Sequence, residues 1–169
     1  MPELAAVTGR CWVFADANVN TDLLMPAESF HLPLDRQAAM TLERVRPGWS
    51  ATVRPGDVLV AGRNFGTGSG RPAPRLLAHL GIAAVVADSI SDLFYRNCIN
   101  TGLPAMECAG VAAAAVEGQR VTVDVVRGRV VLDDDGGREL RGAGMPELLL
   151  EILSAGGLLA RLEKEGYVQ

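Results

Sequence analysis

Short apolar runs, separated by clusters of glycine, proline and aspartate, set the rhythm of this chain. Asp57-Val58-Leu59-Val60-Ala61 follows the turn signature Arg54-Pro55-Gly56 and reads as a strand. Ile82 to Ala87 is continuously apolar, the pattern of a strand covered on both faces. Between them, Leu76, Leu77 and Leu80 recur at helical spacing behind Pro72 and Pro74, whose missing N–H groups cost nothing in a first turn, and Gly81 stops the helix. Strand, helix, strand forms a βαβ unit. Upstream, Cys11 to Ala15 is apolar enough for a first strand, and Asp16 to Asp22 is a polar turn with Thr21 as its local helix cap. Asp35 can cap a helix running to about Val45, stopped by Pro47-Gly48. Downstream, Ser91 to Asn100 carries Leu93, Phe94 and Ile99 at helical spacing, ends at Gly102 and precedes a short strand over Pro104 to Glu107.

The texture then changes. Val121 to Val125 and Val130 to Leu132 flank Arg127-Gly128 as a β-hairpin, and Asp133-Asp134-Asp135-Gly136-Gly137 is an acidic turn. Three adjacent aspartates invite a calcium reading, but the run lacks the alternating oxygen ligands and terminal glutamate of an EF-hand loop, so it reads as a turn. Pro146 opens an amphipathic helix with Leu149, Ile152 and Leu153 facing inward, and Gly156-Gly157 separates it from a short final helix. Parallel and antiparallel signals together predict an α/β sandwich.

At 169 residues the chain is long enough for one domain, residues 1–169, with its own core. Hydrophobic residues at 49% and charged residues at 21% exclude a disordered chain. A net charge of −4 offers no basic footprint for nucleic acid. The apolar runs fall well short of the roughly 20 residues of a membrane helix, and the amino terminus lacks the layout of a secretory signal. A soluble, cytoplasmic protein is expected. Cys11, Cys98 and Cys108 are odd in number and widely separated, so they read as small buried hydrophobes and not as disulfides or a metal cradle.

The chemistry concentrates in Asn64-Phe65-Gly66-Thr67-Gly68-Ser69-Gly70-Arg71, between the strand and helix of the βαβ unit. Glycines there let the backbone take positive φ and approach an anion, and the N–H groups of a starting helix favour negative charge. Ser69 and Arg71 would face that anion, although Ser69 could instead cap the helix. A dinucleotide-binding reading of Gly66-x-Gly68-x-Gly70 fails on spacing, since the fingerprint is G-x-G-x-x-G, and Asp88 fits the ribose position only approximately.

This loop resembles that of the small subunits of aconitase-type hydro-lyases, particularly 3-isopropylmalate dehydratase, which reads Asn-Phe-Gly-Cys-Gly-Ser-Ser-Arg-Glu-His. Other segments are similar to the family too: Asn20-Thr21-Asp22 with Met25-Pro26, Phe94-Tyr95-Arg96-Asn97-Cys98-Ile99-Asn100 followed by Gly102-Leu103-Pro104, and Ile152-Leu153 before Gly156-Gly157-Leu158. The resemblance spans residues 10 to 160 and implies the swivelling β/β/α domain. It implies that Ser69 is the catalytic base, as an alkoxide that takes and returns a proton. It also implies that Arg71 grips a substrate carboxylate and that Asp22, Thr21 and Asn64 support or contact substrate; Arg96 and Asn97 lie in a matching segment but read as structural, since buried polar groups must be paired. Such dehydration also needs a Lewis acid, which in this family is a [4Fe-4S] cluster. The chain holds no convincing ligand set, so the cluster and the rest of the site are expected from a large-subunit partner.

Four of the ten loop positions depart from the family pattern. Thr67 stands for the cysteine, Gly70 for a serine that hydrogen-bonds substrate, and Pro72-Ala73 for Glu-His. The resemblance implies that Gly70 keeps a substrate-facing position without the hydroxyl. By resemblance, Pro26 to Leu34 covers the substrate's variable group, and its Phe30, Leu32 and Leu34 suit an apolar substituent such as isopropyl. The expected activity is therefore isomerisation of 2- and 3-isopropylmalate in leucine biosynthesis. The alternatives are a related hydratase acting on homoaconitate, methylcitrate or dimethylmalate, or a non-catalytic assembly partner.

Overall fold

The computed structural model describes residues 4–133 and 136–168. Seven strands form one mixed sheet: β1 (Val7–Phe14), β2 (Val58–Ala61), β3 (Ala84–Ala87), β4 (Ala105–Glu107), β5 (Arg120–Asp124), β6 (Arg129–Leu132) and β7 (Arg138–Arg141), in the order β4-β3-β2-β1-β5-β6-β7. Strands β1 to β4 are parallel, and β5 to β7 form an antiparallel meander. The two halves meet on β1. Its first half, Val7 to Arg10, pairs antiparallel with β5, and its second half, Cys11 to Phe14, pairs parallel with β2. Gly9 sits at the changeover, where a Cβ would lie 1.8 Å from the carbonyl oxygen of Gly56, so no larger residue fits.

The helices are α1 (Thr21–Leu24), α2 (Leu34–Ala39), α3 (Ala73–Leu80), α4 (Asp92–Thr101), α5 (Val111–Ala114), α6 (Glu147–Ala155) and α7 (Leu158–Lys164). Residues in β2 and β3 are buried throughout, and strand alternation sends them to opposite cores. Leu59, Ala61, Val85 and Ala87 join Phe14, Trp49, Phe65, Leu76, Leu77 and Phe94 on one side. Val58, Val60, Ala84 and Val86 join Val121, Val123, Val130, Leu132 and Leu153 on the other. This two-sided burial explains the apolar runs and bears out the βαβ unit over β2, α3 and β3. Asp57, introducing β2, is almost fully buried and accepts from Arg10 Nη2 at 2.6 Å, Trp12 Nε1 at 2.8 Å and the Arg54 N–H at 2.9 Å.

Four local expectations are corrected. Strand β1 starts at Val7, four residues ahead of Cys11. The cap of α1 is Asn20, whose side chain accepts from the Leu23 N–H at 3.1 Å; Thr21 is the first helical residue. Helix α2 starts behind Pro33 without a side-chain cap, so Asp35 does not cap it, and it stops at Ala39 well before Val45. The reason is Leu42, a buried leucine in the left-handed region at φ 57°, whose N–H bonds the Leu23 carbonyl at 2.9 Å. Burying the side chain and making that bond offset a left-handed cost of about 1–2 kcal/mol. In α6, only Leu153 is fully buried, while Leu149 and Ile152 are half-buried. Asp134 and Asp135 of the acidic turn lie outside the described residues. Among the described residues no helix is long and apolar enough to cross a membrane.

Candidate active site

The glycine turn is built from both ends. Asn64 adopts φ 55°, a conformation asparagine tolerates better than most residues. Its N–H is held by Ser89 Oγ at 2.8 Å, and its side chain donates to Asn18 Oδ1 at 2.8 Å. Asn64 thus locks the start of the loop and stays outside the pocket lining. Phe65 is buried edge-on against Phe94, ring centroids 5.4 Å apart. Gly66 then crosses that ring at φ 75°, so close that a Cβ would lie 2.1 Å from Phe94 Cγ.

Helix α1 forms the floor. The Gly66 N–H bonds the Val19 carbonyl at 2.8 Å and the Thr21 N–H bonds the Thr67 carbonyl at 2.9 Å. Buried Thr21 donates its hydroxyl proton to the Ser69 carbonyl at 2.9 Å, and its Oγ1 lies 3.5 Å from Ser69 Oγ. With its one proton committed, Thr21 can only accept from the Ser69 hydroxyl. Thr21 is a strut beneath Ser69. Ser69 itself is exposed, and α3 begins behind Pro72 with no side-chain cap, so the capping alternative for Ser69 is not realised. Gly68, Ser69 and Gly70 present backbone N–H groups that have no hydrogen-bond partner among the described residues.

Arg71 is held at several points, with its side chain 18% exposed. Its Nη1 donates to the Met25 carbonyl at 2.7 Å, its Nη2 pairs with Asp22 Oδ1 at 2.7 Å, and the guanidinium lies 5.0 Å from the centre of the Phe30 ring. Asp22 is largely exposed, so this ion pair contributes little to stability and serves orientation. Ser69, Gly70 and Arg71 share a pocket of about 620 Å³ with Met25, Phe30, Gln37, Pro72 and Arg75. Gly70 lies next to Leu93, where a Cβ would sit 3.1 Å from Leu93 Cδ2.

Sequence reasoning missed Met25, Gln37 and Arg75 as lining residues. The one available signal was Arg75, four residues past Arg71 and hence one helical turn along. His31 does not line this pocket, and His79 Nε2 pairs with Asp35 Oδ1 at 2.7 Å elsewhere. Arg96 lines a separate groove between α4 and α6, with Leu149 and Ile152.

The thiols of Cys11, Cys98 and Cys108 are all buried, and burial pushes each of their pKa values up, away from the thiolate that an iron–sulfur cluster needs. Among the described residues no group of three or more His, Cys, Asp or Glu side chains could hold a metal ion. The described residues do not fit a cluster.

A mixed sheet with helices on both sides carries a serine and an arginine at the glycine turn after its second strand, and known proteins place this arrangement in the aconitase C-terminal class. Residues 50–109 match the model of the aconitase C-terminal domain. The crystal structure of 3-isopropylmalate dehydratase from Methanocaldococcus jannaschii superposes with a TM-score of 0.87 at 30% identity, covering 96% of both chains. The chain is 41% identical to 3-isopropylmalate dehydratase small subunit 1 of Methanopyrus kandleri, over 95% of this chain and 94% of the relative. It is 38% identical to the isopropylmalate/citramalate isomerase small subunit of Methanocaldococcus jannaschii, over 94% and 95%. To the methanogen homoaconitase small subunit of Methanothermobacter thermautotrophicus it is 39% identical, over 90% and 88%. The chain belongs to the small subunits of the aconitase-family hydro-lyases, and it is the small subunit of a dehydratase.

Proposed function

We propose that this chain is one swivelling domain, cytoplasmic and with its cysteines reduced, that closes over a cluster-bearing large subunit to dehydrate and rehydrate a substituted malate, with 3-isopropylmalate the leading substrate. The observation that carries this reading is the shared pocket of Ser69 and Arg71, whose remaining wall is mostly apolar at Met25, Phe30 and Pro72. Relatives named for isopropylmalate, citramalate and homoaconitate fit the same chemistry.

Arg71 is the carboxylate clamp. Two of its five N–H groups are used by Met25 and Asp22, which fixes the plane of the fork and leaves three N–H groups for substrate. Ser69 is the base that removes the proton next to the carboxylate and later returns it. An alkoxide there gains nothing from Thr21, whose proton is committed to the Ser69 carbonyl, so the unpaired N–H groups of Gly68 to Gly70 and nearby cations stabilise it. A cluster held by the large subunit would supply the Lewis acidity that loss of hydroxide needs.

The test is anaerobic assembly with the cognate large subunit, followed by the ultraviolet absorbance of the unsaturated product. Native chain should support turnover, and Ser69→Ala should lower kcat by about two to four orders of magnitude with unchanged assembly. Unchanged turnover in Ser69→Ala would remove the base assignment, and a native assembly inert toward every hydroxy acid offered would remove the enzymatic reading.

A further inference from the structure

Arg75 lines the same pocket as Ser69 and Arg71, and no step above uses it. It projects from the exposed side of α3 and donates from Nη2 to Gln37 Oε1 at 3.2 Å. Gln37 is only 5% exposed, and its amide is fixed from the other end. Its Nε2 donates to the carbonyls of Leu32 at 2.9 Å and Phe30 at 3.3 Å, so its oxygen is the end left to face Arg75. A buried glutamine thereby commits every polar atom of its side chain to holding one guanidinium beside the Phe30–Leu32 backbone. The other guanidinium N–H groups of Arg75 have no partner among the described residues.

The pocket that Arg71 and Arg75 share also has an apolar lining, from Met25, Phe30 and Pro72. A ligand complementary to this wall has a carboxylate at Arg71, a short hydrocarbon middle and a second anionic end at Arg75. An isopropyl group would fill the middle and leave Arg75 hydrated. A substituent ending in carboxylate would fill the middle and pair with it as well.

Building on the hydro-lyase reading, we infer that Arg75 is a specificity-determining residue and that the substrates of this subunit include malates whose C3 substituent ends in a carboxylate. Gln37 is the positioning residue that aims it.

The experiment measures kcat/KM of the assembled enzyme on 3-isopropylmalate, on 3-(carboxymethyl)malate (isocitrate) and on 3-(2-carboxyethyl)malate (homoisocitrate), for the native chain, Arg75→Met and Arg75→Lys. The native enzyme should turn over at least one of the two carboxylate-ended substrates. Arg75→Met should lower its kcat/KM relative to that for 3-isopropylmalate by about tenfold or more, the scale of one lost charge-assisted hydrogen bond, chiefly through KM. Arg75→Lys should recover part of that ratio. A native enzyme that accepts 3-isopropylmalate alone, or an Arg75→Met variant that leaves the ratio unchanged, overturns the inference while the hydro-lyase reading stands. A native enzyme inert toward all three overturns both.

Discussion

Replacing Arg71 by lysine is the sharpest probe of the site, because it keeps the charge and removes the geometry. The guanidinium presents a planar fork to three neighbours at once: the Met25 carbonyl at 2.7 Å, Asp22 Oδ1 at 2.7 Å and the face of Phe30 at 5.0 Å. A lysine ammonium has three donors on a single nitrogen and no plane to stack. If it keeps Met25 and Asp22, one donor remains for substrate where arginine offers three, and a two-point grip on carboxylate is impossible. The expected loss is one charge-assisted hydrogen bond, about 1.5–3 kcal/mol, or roughly 10- to 150-fold in kcat/KM. Because the side chain is 18% exposed, water compensates poorly, which places the effect toward the upper part of that range. Steady-state kinetics of the assembled enzyme measure it, with thermal melting of the isolated chain as the control for folding. A kcat/KM within about twofold of the native value, with normal assembly, would refute the clamp.

Three further outcomes follow from the same geometry. Gly66→Ala should destabilise the fold by about 2–5 kcal/mol, the sum of a left-handed alanine and a side chain forced into Phe94, and urea unfolding of the variant reads this directly. Gly70→Ser should fold normally, because its Cβ meets only the flexible end of Leu93, and it should raise turnover if the absent hydroxyl is what limits this site; a fall in turnover would mean that Leu93 sets the shape of the pocket lip. Burial alone would push the Asp57 carboxyl pKa up, but Arg10, the Arg54 N–H and Trp12 hold it below its ordinary value. Its contribution to stability is therefore present above that ordinary value and is lost as pH falls through the lower, folded one. Asp57→Asn should accordingly flatten the acid side of the pH–stability curve, as followed by melting temperature below about pH 5.

What could be read in the sequence was whatever local chemistry decides. Strand β2, helix α3 and strand β3 were legible because both strands bury two faces and Gly81 ends the helix between them. Helix α4 was legible through Ser91, which accepts from the Phe94 N–H, and through Gly102, which closes it in the left-handed region. Strand β7 was not, since Arg138-Glu139-Leu140-Arg141 lies at the edge of the sheet and is charged at three of its four positions. The early end of α2 was hidden because it depends on Leu42 finding a place in a core assembled from distant segments. The loop motif pointed to Ser69 and Arg71, but Gln37 and Arg75 become neighbours only when α2 packs on α3, and nothing within either segment announces that contact.

The changeover along β1 also governs the order in which the protein can be completed. On the ribosome, Cys11 to Phe14 can find β2 once residues to Ala61 have emerged, and the parallel half can then grow outward through β3 and β4. Val7 to Arg10 must wait for Arg120 to Asp124. Throughout that interval the nascent chain carries a bare strand edge, with unpaired amides and carbonyls beside a largely formed sheet, in a topology whose closing contacts are among the most distant in sequence. Any fragment that ends before Arg120 inherits that edge permanently, which makes β1 the segment through which truncated or stalled chains would pair with one another.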